Sequence, residues 1–412
     1  MTLDPRRSEP PWLTIVGIGA DGAASLAPAA REAIERAQLV CGSARQLAAV
    51  RALLRSEVMQ WPSPLSEGIA KLWQRRGSPT CVLASGDPFF YGLGATLAPD
   101  LRPGEFVCHP APSSMSLAAA RLGWPLQDCD IVSLHGRELH DVIRYLQPGR
   151  RVLALSWNRQ TPGQLAQLLS TRGFGSSRLQ VLQALGGPDE HVDSGTAALI
   201  AREPGAYADL NLIALEVSPE AGARVLPCRS SLPDDQFEHD GQLTKQDIRA
   251  ITLSALAPYA GALLWDVGAG AGSIGIEWML SHPACRAIAV ETHDERCARI
   301  RRNAQALGAP GLQVIEGSAP ESLHGLRTPD AVFIGGGASD AGVFEACWAA
   351  LRSGGRLAVN GVSLETEALL IQWHARHGGE LRRISIETAE PLGWVRGWKP
   401  ARAVTQWRVD KP

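Results

Sequence analysis

Short apolar runs, each followed by a stretch of helical periodicity, recur along the second half of the chain. Runs of this length predict strands, and the longer periodic stretches predict helices. The predicted strands span 263–268, 287–291, 312–316, 331–335 and 356–361, and the predicted helices lie near 273–281, 294–307, 340–352 and 364–377. This alternation indicates a mostly parallel sheet with helices on both faces. Two further runs, 381–388 and 403–409, have no helix between them and predict an antiparallel pair at the sheet edge.

The first half of the chain also alternates apolar runs with helical patterns. The runs that predict strands are 13–17, 38–41, 80–84, 106–108, 131–134, 152–155, 178–184 and 211–217. We interpret this half as two small α/β lobes that meet near residues 110–125.

Composition changes between the two halves. Residues 218–241 are rich in proline, glycine, serine and acidic side chains, which is typical of a linker or a domain edge. The length of 412 residues also suits two domains better than one. We predict an α/β domain at 1–220, a linker at 221–240 and a second α/β domain at 241–412.

Charge and cysteine content exclude several classes of protein. A net charge of −2 with scattered basic residues gives no reason to expect nucleic acid or an anionic membrane as a partner. The eight cysteines form no Cys-x-x-Cys pair, so we predict no metal site. Residues 1–10 hold charges and prolines rather than an apolar signal core, and the apolar stretch 259–280 contains Asp266 and Glu277. We expect a cytoplasmic protein.

The most informative motif is the glycine turn after the strand at 263–268. Gly268, Gly270 and Gly272 alternate with Ala269 and Ala271. Glycines are expected in such a turn because a side chain would keep the backbone away from a nucleoside ligand. The alternative is a tight strand–helix turn that binds nothing, although three alternating glycines weaken the start of a helix.

The acidic residue before this turn distinguishes between two classes of ligand. The glycines also satisfy the dinucleotide-binding pattern. Asp266, however, would repel a pyrophosphate, whereas it lies within reach of the methionine ammonium of S-adenosylmethionine. A later strand ends in the open turn 335–337, beside the expected transfer site. We therefore predict that residues 266–272 bind S-adenosylmethionine.

Three other positions extend this predicted site. Glu291 ends the next strand, about twenty residues after the glycines, where a carboxylate accepts both ribose hydroxyls; capping the following helix is the alternative. Residues Gly317, Ser318 and Ala319 follow the third strand and are expected to lie along the adenine. Thr244 precedes the first strand and either covers the cofactor or caps a helix.

The candidate site of the first half is centred on a loop after the strand at 80–84. Gly86 and Asp87 belong to the run Ser-Gly-Asp-Pro, which bends the chain and presents backbone groups to a ligand. Ser113 and Ser114 open the helix that runs to residue 122. These four residues are the candidate cofactor contacts here. The alternatives are that Asp87 only holds the turn and that the serines only cap the helix.

Six ordered motifs between residues 243 and 365 resemble one family of methyltransferases. They read LTKQDIRA, LLWDVGAGAGSIGIEW, AIAVE, VIEGSAPESL, PDAVFIGGG and SGGRLAVNGVSLET. Together they are similar to the decarboxylating C15 methyltransferases of cobalamin biosynthesis. The resemblance implies a Rossmann-like class I methyltransferase domain.

The first half resembles the tetrapyrrole methylases, in particular the C5 methyltransferases of the same pathway. The motifs that carry this resemblance are IVGIGADG, SGDPFFYGLG, PSSMSLAAARLGWPLQD, IVSLHGR and LALSWNRQTP. The family folds as two α/β lobes with S-adenosylmethionine between them. Its first glycine loop usually faces the tetrapyrrole, so we do not assign Gly17 and Gly19 to the cofactor.

Both resemblances point to the same short stretch of corrin construction, and a fusion of the two is similar to the precorrin C5,15-methyltransferases (decarboxylating). This implies methylation of a precorrin at carbons 5 and 15, loss of carbon dioxide from the ring C acetate, and one S-adenosylmethionine per domain. Alignment of acceptor, methyl and sulfur is the main catalytic requirement. We identify no catalytic side chain.

A tetrapyrrole substrate carries many carboxylates, so basic residues are expected at each mouth. The candidates are Arg137 and Arg159 in the first domain and Lys245 and Arg249 in the second; a solvated surface role is the alternative for each. Relatives of the second domain tend to form tetramers, which implies a homo-oligomer. Three other functions stay open at this point: methylation of RNA or protein, nicotinamide-dependent oxidation, and carriage of a tetrapyrrole without catalysis.

Overall fold

A computed structural model describes residues 11–228 and 231–412. Residues 1–10, whose composition differs from that of a signal peptide, lie outside this range. Contacts divide the chain into two compact units. Unit 1 holds the chain up to Arg137 together with Pro148–Arg224, and unit 2 holds Glu138–Gln147 together with Val225–Pro412. Within the described ranges, no helix is both long and apolar enough to cross a membrane.

The first lobe of unit 1 is a parallel sheet with apolar clusters on its faces. Its strands are β1 (Leu13–Ile18), β2 (Leu39–Gly42), β3 (Glu57–Gln60), β4 (Thr80–Ser85) and β5 (Phe106–His109), in the order β3-β2-β4-β1-β5. Its helices are α1 (Pro28–Arg36), α2 (Ala44–Ala49), α3 (Leu65–Trp73) and α4 (Leu93–Leu97). Strand β3 was not predicted, because this edge strand is largely exposed and lacks apolar alternation.

The second lobe of unit 1 is a mixed sheet that begins after helix α5 (Ser114–Leu122). Its elements are β6 (Cys129–Ser133), β7 (Arg151–Leu155), α6 (Thr161–Thr171), β8 (Arg178–Gln183), β9 (His191–Thr196), α7 (Ala197–Arg202) and β10 (Asn211–Glu216), with the strand order β6-β7-β10-β8-β9. The expectation of two lobes is confirmed, and α5 lies where they were expected to meet. Strand β9 was missed because its sequence is mainly polar.

Unit 2 is a doubly wound sheet in which parallel strands are followed by an antiparallel edge. Its helices are α8 (Gln246–Leu256), α9 (Ser273–Ser281), α10 (Asp294–Ala306), α11 (Val343–Ala350) and α12 (Leu364–His377). Its strands are β11 (Leu263–Val267), β12 (Arg286–Glu291), β13 (Gln313–Glu316), β14 (Ala331–Ile334), β15 (Arg356–Gly361), β16 (Glu380–Ile384), β17 (Glu387–Leu392), β18 (Val395–Pro400) and β19 (Val404–Asp410). The fold class predicted from the sequence is confirmed.

The strand order in this sheet is β13-β12-β11-β14-β15-β19-β16, and β19 pairs antiparallel with both of its neighbours. The predicted closing pair is therefore present. The run 381–388 differs from expectation because it ends β16 and then starts β17, which forms a separate hairpin with β18. Strand order reverses between β11 and β14, and in such sheets ligands bind at the carboxyl ends of the strands beside this reversal.

The segment 221–240 differs from a solvated linker. From Ser231 onward it packs on unit 2, where Leu232 and Phe237 are buried. The backbone N–H groups of Ser231 and Leu232 donate to the Glu277 carboxylate at 2.5 and 3.0 Å. Composition alone could not show this packing, because two buried apolar side chains, Leu232 and Phe237, hold an otherwise polar segment on unit 2. The domain limits 1–220 and 241–412 stay a prediction.

Candidate functional site

A pocket of about 210 Å³ opens in unit 2 at the carboxyl ends of β11, β12 and β14. The residues that line it come from the glycine turn, the ends of neighbouring strands and the chain before α8: Gln242, Val267, Gly268, Gly270, Val290, Glu291, Thr292, Arg296, Gly317, Ser318, Ala319, Gly335, Gly336, Gly337, Asp340 and Val343. The pocket thus brings together segments more than 90 residues apart in sequence.

The glycine turn is shaped by close backbone contacts. Gly268 has a φ of +69°, and a Cβ there would lie 2.7 Å from the backbone of Gly336. A Cβ on Gly270 would lie 3.0 Å from the carbonyl oxygen of Gln242. Only a residue without a side chain therefore fits at Gly268, where two turns close on one another at the pocket.

The other predicted residues of this turn have structural roles. A Cβ on Gly272 would lie 2.7 Å from the Ile300 side chain, so this glycine lets α10 pack on the start of α9. Ala271 is buried, and its carbonyl accepts a hydrogen bond from Asn303. Among the described residues that line the pocket, Ala269, Ala271 and Gly272 do not occur. Their contact with a cofactor stays a prediction without a geometric basis in this pocket.

Glu291 lines the pocket and is only 4% exposed. One carboxylate oxygen accepts the Gly270 N–H at 2.8 Å, and the other accepts the N–H groups of Thr292 and His293 at 3.0 and 3.2 Å. The Arg296 guanidinium lies 3.9 Å from Glu291 Oε1. A carboxylate that is fixed at the wall of a pocket by backbone donors suits recognition of a sugar diol.

Asp266 lies behind the turn rather than in the pocket lining. Its Oδ2 accepts the Gly275 N–H at 2.9 Å, whereas its Oδ1 is buried without a hydrogen-bond partner among the described residues. Burial raises the pKa of Asp266 to about 7, the Gly275 hydrogen bond lowers it, and the Glu291 charge adds to the increase. A buried, unpartnered carboxylate oxygen favours a nearby cation.

The two remaining predictions for this pocket have different outcomes. Gly317, Ser318 and Ala319 line it, as the prediction of an adenine contact requires. Thr244 is half-buried and is absent from the described lining, and α8 has Lys245 as its N-cap with no side-chain cap. Thr244 therefore does not cap α8, and its contact with a cofactor stays a prediction. Its neighbour Gln242 forms the wall instead, and nothing in the sequence pattern distinguished it.

The environment of Arg249 contradicts its predicted role in substrate binding. Its side chain is fully buried, and its donors reach Glu277 at 2.7 Å, Asp234 at 2.8 Å and the carbonyl oxygens of Thr244 and Leu232. A guanidinium that is enclosed and saturated in this way is not available to a substrate carboxylate. Lys245 is 62% exposed and lies 3.6 Å from Asp234, so its ammonium remains accessible.

A larger cavity of about 1150 Å³ lies within unit 1, and residues of both lobes line it. Gly86, Asp87, Ser113 and Ser114 are among the lining residues, so the structure brings these four together. Gly86 has a φ of +58°, and a Cβ on Gly17 would lie 2.1 Å from its carbonyl oxygen. The first glycine turn therefore supports the loop that carries Gly86.

In unit 1, Asp87 and Ser113 also make the structural contacts that were the alternatives to cofactor binding. Asp87 Oδ1 accepts the Phe89 N–H at 2.9 Å and so holds the turn. Ser113 caps α5 by accepting the Ser116 N–H at 3.1 Å. Asp87 keeps a second carboxylate oxygen, and the Ser113 hydroxyl can still donate its proton, on side chains that line the cavity. A ligand contact by either residue stays a prediction.

The two basic candidates of unit 1 have different environments. Arg137 lines the cavity, and its guanidinium lies 5.7 Å from the centre of the Tyr91 ring. Arg159 is absent from the described lining and pairs with Asp209 at 2.5 Å. Sequence reasoning missed Arg45, which lines the cavity and donates to Ser85 at 3.0 Å. A single arginine on a short helix carries no pattern that would have identified it.

Comparisons with known proteins agree with this two-unit description. The family model described as tetrapyrrole (corrin/porphyrin) methylases matches residues 12–201, and the one described as a precorrin methyltransferase domain matches residues 235–411. The chain is 52% identical over 412 residues to a Sinorhizobium protein named precorrin-6Y C(5,15)-methyltransferase [decarboxylating], with 99% of each covered.

A Mycobacterium tuberculosis protein of the same name is 40% identical over 400 residues, covering 97% of this chain and 100% of that protein. The crystal structure of the C-terminal domain of precorrin-6Y C5,15-methyltransferase from Rhodobacter capsulatus is 45% identical, with a TM-score of 0.43, and covers 45% of this chain and 100% of that one. The two relatives that match along nearly the whole chain confirm the resemblance stated from the sequence. The chain belongs to the precorrin-6Y C5,15-methyltransferase (decarboxylating) family.

Proposed function

We propose that this chain methylates a precorrin at carbons 5 and 15 and removes carbon dioxide from the ring C acetate. Unit 1 carries out the transfer to carbon 5, and unit 2 carries out the transfer to carbon 15 together with the decarboxylation. The observation that carries this proposal is that each unit has its own pocket, lined by residues of the motifs that resemble a methyltransferase of this pathway. Each pocket binds one S-adenosylmethionine.

The residues of unit 2 fit this cofactor. The backbone approach at Gly268 and Gly270 leaves a cradle that a Cβ would fill, and Glu291 presents a buried carboxylate for the ribose. The unpartnered Oδ1 of Asp266 supplies negative charge for the methionine ammonium. When bound, S-adenosylmethionine supplies a methyl group already activated on a sulfonium.

In unit 2 the chain orients the reactants and recognises the substrate. Glu291 is held by backbone donors, so the ribose is fixed without a further reorganisation cost. The exposed Lys245 ammonium at the N-terminus of α8 binds a carboxylate of the macrocycle. The turn 335–337 lines the same pocket, and its glycines place no side chain there.

In unit 1 the cavity of about 1150 Å³ is the proposed site of both the cofactor and the macrocycle. Gly86, Asp87, Ser113 and Ser114 contact the cofactor, and Arg137 binds a substrate carboxylate. The Tyr91 ring beneath the Arg137 guanidinium orients it toward the cavity. Arg159 is less suited to bind a substrate carboxylate, because Asp209 already neutralises its charge.

We also propose that the chain forms a homo-oligomer, a tetramer, through unit 2. The hairpin of β17 and β18 exposes large apolar side chains: Leu392, Trp394, Val395 and Trp398, with Trp394 fully exposed. Such a patch is costly in water and is typical of a protein interface. Light scattering of Trp394→Ser/Trp398→Ser should give a smaller mass than the unchanged chain; equal masses would contradict the role of the hairpin. The predicted cytoplasmic location stays a prediction.

The reaction is tested with the full chain, S-adenosylmethionine and precorrin-6Y, with the product mass followed. The unchanged chain should add two methyl groups and release carbon dioxide. Glu291→Gln should slow the release of carbon dioxide severalfold, because the amide loses one acceptor for the ribose. The matched control is Glu316→Gln, since Glu316 ends the adjacent strand in register with Glu291 but is exposed. A product without added methyl groups would overturn the proposal.

A further inference from the structure

Residues 234–242 form a short acidic segment at one side of the unit 2 pocket, which we call the acidic strap. It carries Asp234, Asp235, Glu238 and Asp240 and ends at Gln242, whose carbonyl oxygen faces Gly270. The strap is therefore part of the pocket wall, although its composition is that of a linker. Because the strap carries four acidic side chains, basic groups are needed to hold it in place against unit 2.

A row of arginines on α10 holds the strap. Arg296, Arg299 and Arg302 are spaced three residues apart, which places them along one face of the helix. Arg302 donates to both carboxylate oxygens of Glu238 at 2.9 and 2.6 Å, and Arg296 donates to Asp240 at 2.8 Å. These arginines lower the pKa of Glu238 and of Asp240 below their usual values.

Arg299 is the central member of this row and is only 8% exposed. Its guanidinium forms ion pairs with Asp240 at 3.1 Å and Glu238 at 3.7 Å and donates a hydrogen bond to Glu295 at 3.4 Å, so it places positive charge between the two strap carboxylates. Burial makes this pair of contacts less sensitive to solvent screening than the more exposed Arg302 contact.

Asn303 connects the strap to the glycine turn. It is buried, its Oδ1 accepts the Glu238 N–H at 2.9 Å, and its Nδ2 donates to the Glu238 carbonyl at 2.9 Å. The same Nδ2 donates to the Ala271 carbonyl at 3.0 Å. One side chain therefore fixes the strap backbone and the cofactor turn relative to each other.

The contact between Asp240 and Arg296 has a second consequence. Arg296 lines the pocket and lies 3.9 Å from Glu291 Oε1, beyond hydrogen-bond distance. Asp240 occupies its Nε and so holds the guanidinium away from Glu291. Without Asp240, Arg296 would be drawn to the Glu291 carboxylate and would compete with a ribose for it.

We propose that Arg299, Asn303 and Asp240 are positioning residues for the cofactor of unit 2. They fix the acidic strap against the glycine turn, which sets the place of Gln242 and keeps Glu291 open to the ribose. This inference rests on the proposed function, in that S-adenosylmethionine occupies this pocket. None of the three residues is proposed to touch the reacting atoms.

The test uses the full chain and the variants Arg299→Met and Asp240→Asn. Carbon dioxide release and C5 methylation are followed against S-adenosylmethionine concentration, and S-adenosylhomocysteine binding is measured by calorimetry. Each variant should raise the KM for S-adenosylmethionine in carbon dioxide release about tenfold, as is typical of changes that act through another residue. Its kcat should change less than twofold. C5 methylation by the same molecules should be unchanged, which controls for the amount of active chain, and the nearly unchanged kcat of carbon dioxide release controls for the folding of unit 2.

Arg301→Met is the matched control, because Arg301 is an exposed arginine on the same helix that lies outside the row. It should leave both KM values within twofold, and Arg299→Lys should recover part of the loss. The double variant Arg299→Met/Asp240→Asn should cost less than the two single changes added together. Unchanged KM and binding constants in Arg299→Met and Asp240→Asn would overturn the inference. Normal S-adenosylhomocysteine binding without carbon dioxide release by the unchanged chain would overturn the proposed reaction instead.

Discussion

Replacement of Asp266 by asparagine gives a sharp test of the electrostatics behind the glycine turn. Asparagine has nearly the same shape, and its carbonyl oxygen keeps the hydrogen bond from the Gly275 N–H. It cannot ionise, so any effect of the Asp266 charge on folding disappears. Its amide donors would stand where Oδ1 has no partner, which costs about 1–3 kcal/mol at every pH.

The charge of Asp266 makes stability depend on pH in a defined direction. Burial raises the pKa of Asp266 from 3.8 to about 7. Between these values the unfolded chain has lost the proton that the folded chain still holds, so the stability of the folded state falls as pH rises from about 4 to 7 and is level above that. The difference between the two pKa values corresponds to about 4 kcal/mol.

Asp266→Asn should therefore be less stable than the unchanged chain near pH 4.5 and more stable near pH 8.5. Urea unfolding at a series of pH values, followed by tryptophan fluorescence, measures the difference in free energy, and the buried Trp265 and Trp278 contribute to the signal from unit 2. The difference should change by about 3 kcal/mol across this range, because part of the total already appears below pH 4.5. Parallel stability profiles of the variant and the unchanged chain would refute a raised pKa at Asp266.

Three other changes test separate parts of the structure. Gly268→Ala places a Cβ 2.7 Å from the Gly336 backbone at a φ of +69°, so S-adenosylhomocysteine binding to unit 2 should be lost in calorimetry; retained affinity would contradict the close approach. Arg249→Met leaves Glu277 buried without its charge partner and should cost about 3–5 kcal/mol in thermal unfolding, part of which the added change Glu277→Leu should restore. Arg137→Gln should raise the KM for the precorrin in C5 methylation severalfold without affecting carbon dioxide release; equal effects on both reactions would argue against a role confined to unit 1.

The sequence predicted the parts of the fold that depend on burial in a sheet. Strands such as Leu263–Val267 are covered on both faces and so appear as continuous apolar runs. Glu57–Gln60 and His191–Thr196 lie at sheet edges, where backbone pairing rather than side-chain burial defines the strand. Such strands therefore cannot be recognised from a pattern of apolar residues in the sequence.

The site was predictable where chemistry requires a particular residue type, as at Gly268 and Glu291. Arg249 was misjudged because its partner Glu277 lies on another helix, and sequence spacing does not show which arginines face inward. Gln242 and Arg296 were missed for the same reason: they reach the pocket through tertiary packing of the strap on α10. Neither position carries a motif of its own.

Each unit is expected to bind its own S-adenosylmethionine. Calorimetric titration of the full chain with S-adenosylhomocysteine tests it most directly, with Gly268→Ala as the comparison. We expect two molecules bound per unchanged chain and one per variant chain, the remaining site being that of unit 1. A stoichiometry of one for the unchanged chain, or equal stoichiometries for both proteins, would contradict it.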